Sequence, residues 1–90
     1  MMMTIQTVCQ IVPGVTEAEL RAWVHQDWVR VTTQDGEPIF ADIDVARVRL
    51  IVDLKRDLEI EPPTLPLILS LLDQLYATRR LLRHFMDEQP

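Results

Sequence analysis

The 90-residue chain has one cysteine, Cys9, and two glycines, Gly14 and Gly36. A single cysteine excludes an internal disulfide and fits a reducing compartment, so a cytoplasmic protein is expected. Two isolated glycines leave no glycine-rich loop to cradle a phosphate. No run of about 18 apolar residues is present, which excludes a spanning helix. The opening Met-Met-Met-Thr lacks the basic flank and apolar core of a secretory leader, and none is expected. Basic residues are also scarce. Nine Lys and Arg stand against 14 Asp and Glu, giving a net charge of −5. That balance disfavours phosphate backbones and favours basic partners.

What is present is apolar material, 48% of the chain. This is an ordinary fraction for a globular domain and enough to fold without metal or disulfides. One domain over 1–90 is expected, and association with a second copy is a natural way for so short a chain to bury more surface.

The clearest local signal is Val15-Thr16-Glu17-Ala18-Glu19-Leu20. Thr16 and Glu19 have the spacing of a capping box, and Val15 with Leu20 that of a hydrophobic staple. A helix is predicted from Glu17 to about Asp27, with Leu20, Trp23 and Val24 on one face. Pro13-Gly14 before it marks a turn. Upstream, residues 4–12 suit a short helix with Val8 and Ile11 inward. Residues 28–41 read as a hairpin: Val29 and Val31 alternate with Arg30, and Asp35-Gly36 is a turn dipeptide suited to positive φ. Pro38 has no N–H to give, so an edge strand is expected there.

Asp42 or Asp44 is placed to cap a third helix over 43–58. Val45, Val48, Ile51, Val52, Leu54 and Leu58 would form its apolar face. Pro62-Pro63 breaks the chain. Thr64 can cap a last, long helix running to about Met86, with Pro66 tolerated in its first turn. Residues 65–75 are apolar nearly all round, so burial on more than one side is expected. Leu65, Ile68, Leu72 and Leu75 repeat at the spacing of helix–helix packing, which predicts a homodimer through this helix. The fold class is therefore mainly α: a winged helix-turn-helix with a short β-hairpin wing and a long C-terminal helix. Residues 1–61 hold the helix-turn-helix, wing and third helix, and 62–90 the C-terminal helix.

Chemistry is thinly represented. Cys9, His25 and His84 are the soft ligands, and they lack any paired spacing, so no metal is expected. Cys9 reads as a packed thiol rather than a nucleophile, and the carboxylates scatter over helix faces. No catalysis and no cofactor are expected. In a winged helix the helix from Glu17 would read DNA and the hairpin would be the wing. That helix offers Arg21 against Glu17, Glu19 and Asp27, and the wing offers Arg30 against Asp35 and Glu37. Both are net negative, which argues against binding nucleic acid.

Four stretches, in order along the chain, resemble the CbpM chaperone-modulator family within the MerR-like group. They are Gly14-Val15-Thr16-Glu17-Ala18-Glu19-Leu20, Phe40-Ala41-Asp42 leading into Val45-Ala46-Arg47-Val48, residues 54–61 (Leu-Lys-Arg-Asp-Leu-Glu-Ile-Glu), and Leu69-Ser70-Leu71-Leu72-Asp73. The turn at 10–13 is a residue longer than the family's, the wing is shorter around Asp35, and the chain stops soon after Phe85. The resemblance implies a MerR-like winged helix that binds the J-domain of a CbpA-type, DnaJ-like co-chaperone and blocks its work with the Hsp70 chaperone DnaK. The docking face of a J-domain is basic, so an acidic set would meet it. Asp53, Asp57, Glu59, Glu61 and Asp73 are the expected protein-binding residues. The alternative is a MerR-like DNA-binding transcription regulator using Arg21 and Arg30.

Overall fold

A computed structural model describes residues 1–87 of the chain. Its elements are β1 (Met3–Thr4), α1 (Ile5–Ile11), α2 (Glu17–His25), β2 (Thr32–Gln34), β3 (Glu37–Phe40), α3 (Asp42–Arg56) and α4 (Leu65–Asp87). The chain forms two compact units. The first is Met1–Ile60, and the second begins at Glu61. The first is a winged helix-turn-helix with a three-stranded antiparallel sheet in the order β1-β3-β2. The second carries the long helix α4. The expected mainly helical winged-helix fold is the one observed.

α2 begins where the capping box predicts. Thr16 Oγ1 accepts from the Glu19 N–H at 3.1 Å, and Glu19 Oε1 accepts from the Thr16 N–H at 3.1 Å. Its end is set by a different device. The Trp28 N–H donates to the Trp23 carbonyl at 2.9 Å and the Asp27 N–H to that of Val24 at 3.1 Å, with Asp27 at φ 62. This is a Schellman motif, and its usual hydrophobic contact is the stack of Trp23 on Trp28, ring centroids 6.3 Å apart. Leu20 and Trp23 are buried and Val24 half-buried.

The hairpin is shorter than expected, because Trp28 belongs to this helix stop and residues 29–31 form no strand. Asp35 and Gly36 both take positive φ, as a two-residue I′-type turn requires. Pro38 does not lie on an edge. β3 is the central strand, because Met3 and Thr4 pair with Phe40 and Ile39 on its other side. The proline is tolerated for a register reason. Gln34 and Glu37 flank the turn, so the next pair, Thr33 with Pro38, is of the kind that exchanges no hydrogen bonds. The nitrogen of Pro38 therefore faces the β1 side, where pairing has already stopped at Thr4.

α1 turns Ile5 and Val8 inward. Ile11, expected inside, is exposed, and Val12 is buried in its place. At 100° per residue Ile5, Val8 and Val12 share one side, and Ile11 falls off it. α3 buries Val45, Val48, Ile51, Val52 and Leu54. It starts at an Ala41 cap that has no acceptor, so only the Asp44 half of a box forms, Oδ2 accepting from the Ala41 N–H at 2.8 Å. It ends at Arg56, two residues before the predicted stop. Glu59 then adopts φ 52, and the Ile60 N–H closes back on the Leu54 carbonyl at 3.1 Å. Leu58 is thereby removed from the core face and is 66% exposed.

In the second unit the Thr64 N–H donates to the Glu61 carbonyl and the Leu65 N–H to that of Pro62, a tight turn that leads into α4. Leu65 and Leu69 are buried, and Ile68 and Leu72 half-buried. Leu67, Leu71 and Leu75 are exposed, so within one chain residues 65–75 are not covered all round.

Candidate functional site

Three acidic residues expected to bind a partner close the first unit. Asp53 and Asp57 are one helical turn apart at the end of α3, and the Asp57 N–H donates to the Asp53 carbonyl at 2.8 Å. Glu59 sits in the left-handed turn two residues on. All three are exposed, and none forms an ion pair within the described residues. Between them lies the exposed Leu58. An exposed apolar side chain flanked in sequence by unpaired carboxylates is the makeup of a contact in which a leucine is desolvated while charge sets register. Sequence periodicity assigned Leu58 to the core. The signal against that reading was the Asp57–Glu59 pair flanking it. Glu61 and Asp73 belong to the second unit and are both exposed there.

A second surface lies along α4. Ile68, Leu71, Leu75, Thr78, Leu82 and Phe85 alternate spacings of three and four, a heptad seam. All but the half-buried Ile68 are exposed, Leu82 at 56% and Phe85 at 60%. The hydroxyl at the polar position in the seam is satisfied within the helix, because Thr78 Oγ1 donates to the Gln74 carbonyl at 2.8 Å. Of the four leucine and isoleucine residues predicted to pack a dimer, this seam contains Ile68 and Leu75. Leu65 is buried and Leu72 half-buried on the neighbouring face.

A third surface joins α2 to the wing. Arg21 Nη2 donates to Glu17 Oε1 and to Glu37 Oε2, each at 2.9 Å. Glu37 first and Glu17 second raise the Arg21 pKa above its ordinary value. Arg21, named in sequence as a DNA-contact candidate, is thus engaged by carboxylates from two elements. Arg30 is exposed and forms no ion pair among the described residues.

Within the first unit the cations of α3 brace the helix-turn-helix. Lys55 Nζ donates to Glu19 Oε2 at 3.1 Å and lies 5.4 Å from the centroid of Trp23. Burial would raise the Glu19 pKa, but the Lys55 bond and the two bonds from Thr16 outweigh it and hold the carboxyl below its ordinary range. Arg56 Nη2 donates to the Pro13 carbonyl at 3.2 Å, covering Gly14, which takes φ 89. Arg47 Nε donates to the Trp28 carbonyl at 2.9 Å.

Cys9 is half-buried, and burial chiefly, with Glu17 second, raises its thiol pKa. No group of three His, Cys, Asp or Glu side chains able to hold a metal occurs among the described residues. No helix among them is long and apolar enough to cross a membrane.

Residues 3–85 match the family described as MerR HTH family regulatory protein. The chain belongs to this MerR helix-turn-helix family. The match runs from β1 almost to the end of α4, so it takes in the winged-helix unit and most of the long helix of this MerR-family chain. No curated protein and no solved structure matches the chain.

Proposed function

We propose that this MerR-family chain is a cytoplasmic, non-catalytic protein-binding modulator that docks on the basic face of a J-domain co-chaperone of the CbpA type and blocks its work with the Hsp70 chaperone. The observation that carries this reading is the exposed Leu58 set among Asp53, Asp57 and Glu59. Those carboxylates are not consumed by internal ion pairs, so their charge is available to a cationic partner. The leucine offers an apolar anchor at the centre of the patch. Glu61 and Asp73 extend the acidic set along the sequence. The resemblance of residues 54–61 to the CbpM pattern supports the same assignment.

The test is calorimetric titration of a purified CbpA-type J-domain into the full chain at two salt concentrations, comparing wild type with Asp57→Lys and Glu61→Lys. Each reversal is expected to weaken binding by about 1 kcal/mol and to flatten the salt dependence. Absence of binding by the wild type would overturn the reading. Unchanged affinity and salt slope in both variants would move the contact to the Trp23 and Trp28 side.

Self-association through α4 belongs to the same proposal. The exposed seam from Ile68 to Phe85 supports it, because a second copy would cover apolar side chains that one chain leaves in water.

A further inference from the structure

A helix-turn-helix fold turns two features to DNA, the exposed side of its second helix and the wing. In this chain the exposed residues of α2 are Glu17, Ala18, Arg21, Ala22 and His25. The two alanines leave a shallow surface that a nucleic-acid backbone can approach closely. Gln34 and Glu37 are directly opposed in the hairpin, so their side chains leave the same side of the sheet. Glu37 reaches Arg21, which turns that side of the wing toward α2. Amide, hydroxyl and guanidinium groups are the usual makers of phosphate contacts. Arg21 is the sole Lys or Arg of α2, and Glu17 and Glu37 both hold its Nη2 at 2.9 Å. Two carboxylates on one guanidinium leave a local charge of −1 where phosphate contact needs a positive one.

We propose that the Glu17–Arg21–Glu37 clamp is an autoinhibitory contact that withholds the α2–wing face from duplex DNA, and that releasing Arg21 exposes a phosphate-binding surface. This does not depend on the co-chaperone reading, whose proposed contacts lie after residue 52. The clamp residues are 45% (Glu17) and 58% (Glu37) exposed, so replacing them leaves the core untouched.

The experiment is fluorescence anisotropy of a random-sequence DNA duplex with the full chain, at low and moderate salt. Glu17→Gln/Glu37→Gln is expected to bind about tenfold tighter than wild type at low salt, with a salt slope steeper by about 0.9 for the phosphate that Arg21 contacts. Adding Arg21→Gln to that variant returns affinity to the wild-type level. A charge-matched control at the end of α3, Asp53→Asn/Asp57→Asn, changes net charge equally without touching α2, the wing or Arg21, and gains little. Glu37→Gln alone leaves the first turn of α2 intact and gives an intermediate gain if the double variant loses its circular-dichroism signature. The proposal is overturned if freeing Arg21 brings no gain over wild type, or if the charge-matched control gains as much.

Discussion

Glu19 concentrates three roles in one side chain. It closes the α2 capping box, accepts from Lys55 on α3, and thereby holds Lys55 over the ring of Trp23. Its folded pKa is depressed, so the sign of its pH linkage is fixed. The stabilisation is present above the ordinary glutamate range and is lost as pH falls through the lower folded value. Glu19→Gln, which can still close the capping box, should therefore destabilise the chain by at most about 1 kcal/mol at neutral pH, through the lost charge facing Lys55 on α3. The gap from wild type should narrow in acid. Urea denaturation at pH 7 and at pH 3.5 checks this, and an equal gap at both values would remove charge from the explanation. Arg21 shows the opposite economy: a residue singled out for phosphate is occupied by its neighbours. Its partners at i−4 and across the wing differ in legibility. Glu17 is read from the sequence spacing, whereas Glu37 is brought in by the hairpin.

At the scale of elements, the α2 start and the approximate stops of α2 and α4 were legible, whereas the early α3 stop and the backbone devices that end α2 and α3 were not. The α2 start follows from four residues that interact locally, Thr16 to Glu19, so it survives any tertiary context. The α2 and α3 stops use Asp27 and Glu59 in the left-handed region, where glycine is the usual choice. No residue type announced them. Both carry strain that glycine would relieve. Glu59→Gly is expected to stabilise by about 0.5–1 kcal/mol, and Asp27→Gly by less, because a short Asp side chain tolerates this conformation better than Glu. Thermal denaturation of the two variants ranks them. A destabilised Glu59→Gly would mean that its side chain makes contributions the backbone argument omits. The same scale explains Pro38. Proline was expected at an edge, but β1, only two residues long, pairs with β3 and ends before reaching it.

For the whole molecule, the balance between acidic charge and uncovered leucine governs behaviour in solution. α4 exposes Leu71, Leu75, Leu82 and Phe85 on one seam, more contiguous apolar surface than scattered surface leucines account for. Leu82→Glu, at a position 56% exposed in the single chain, is expected to leave secondary structure unchanged and to shift the chain from dimer to monomer in sedimentation equilibrium. A wild-type chain that stays monomeric at high concentration would refute self-association. If Leu82→Glu left a dimer intact, the seam would not be its interface.

The sequence by itself determined the class of fold, the start of α2, the Asp35-Gly36 turn and the break between α3 and α4. Each depends on interactions within a few residues, or on proline and glycine chemistry that acts locally. It also placed Val8, Leu20, Val48 and Ile51 in the core, since helical periodicity alone sorts them. Only the tertiary structure decided that β3 is central, that Val12 replaces Ile11 inside, that Leu58 stands in water among carboxylates, and that Arg21 is shared between α2 and the wing. Those outcomes hang on where a helix stops and which strand arrives from elsewhere in the chain. A single residue of difference at such a junction rotates a side chain from core to solvent, and local pattern carries no information about the partner that sets it.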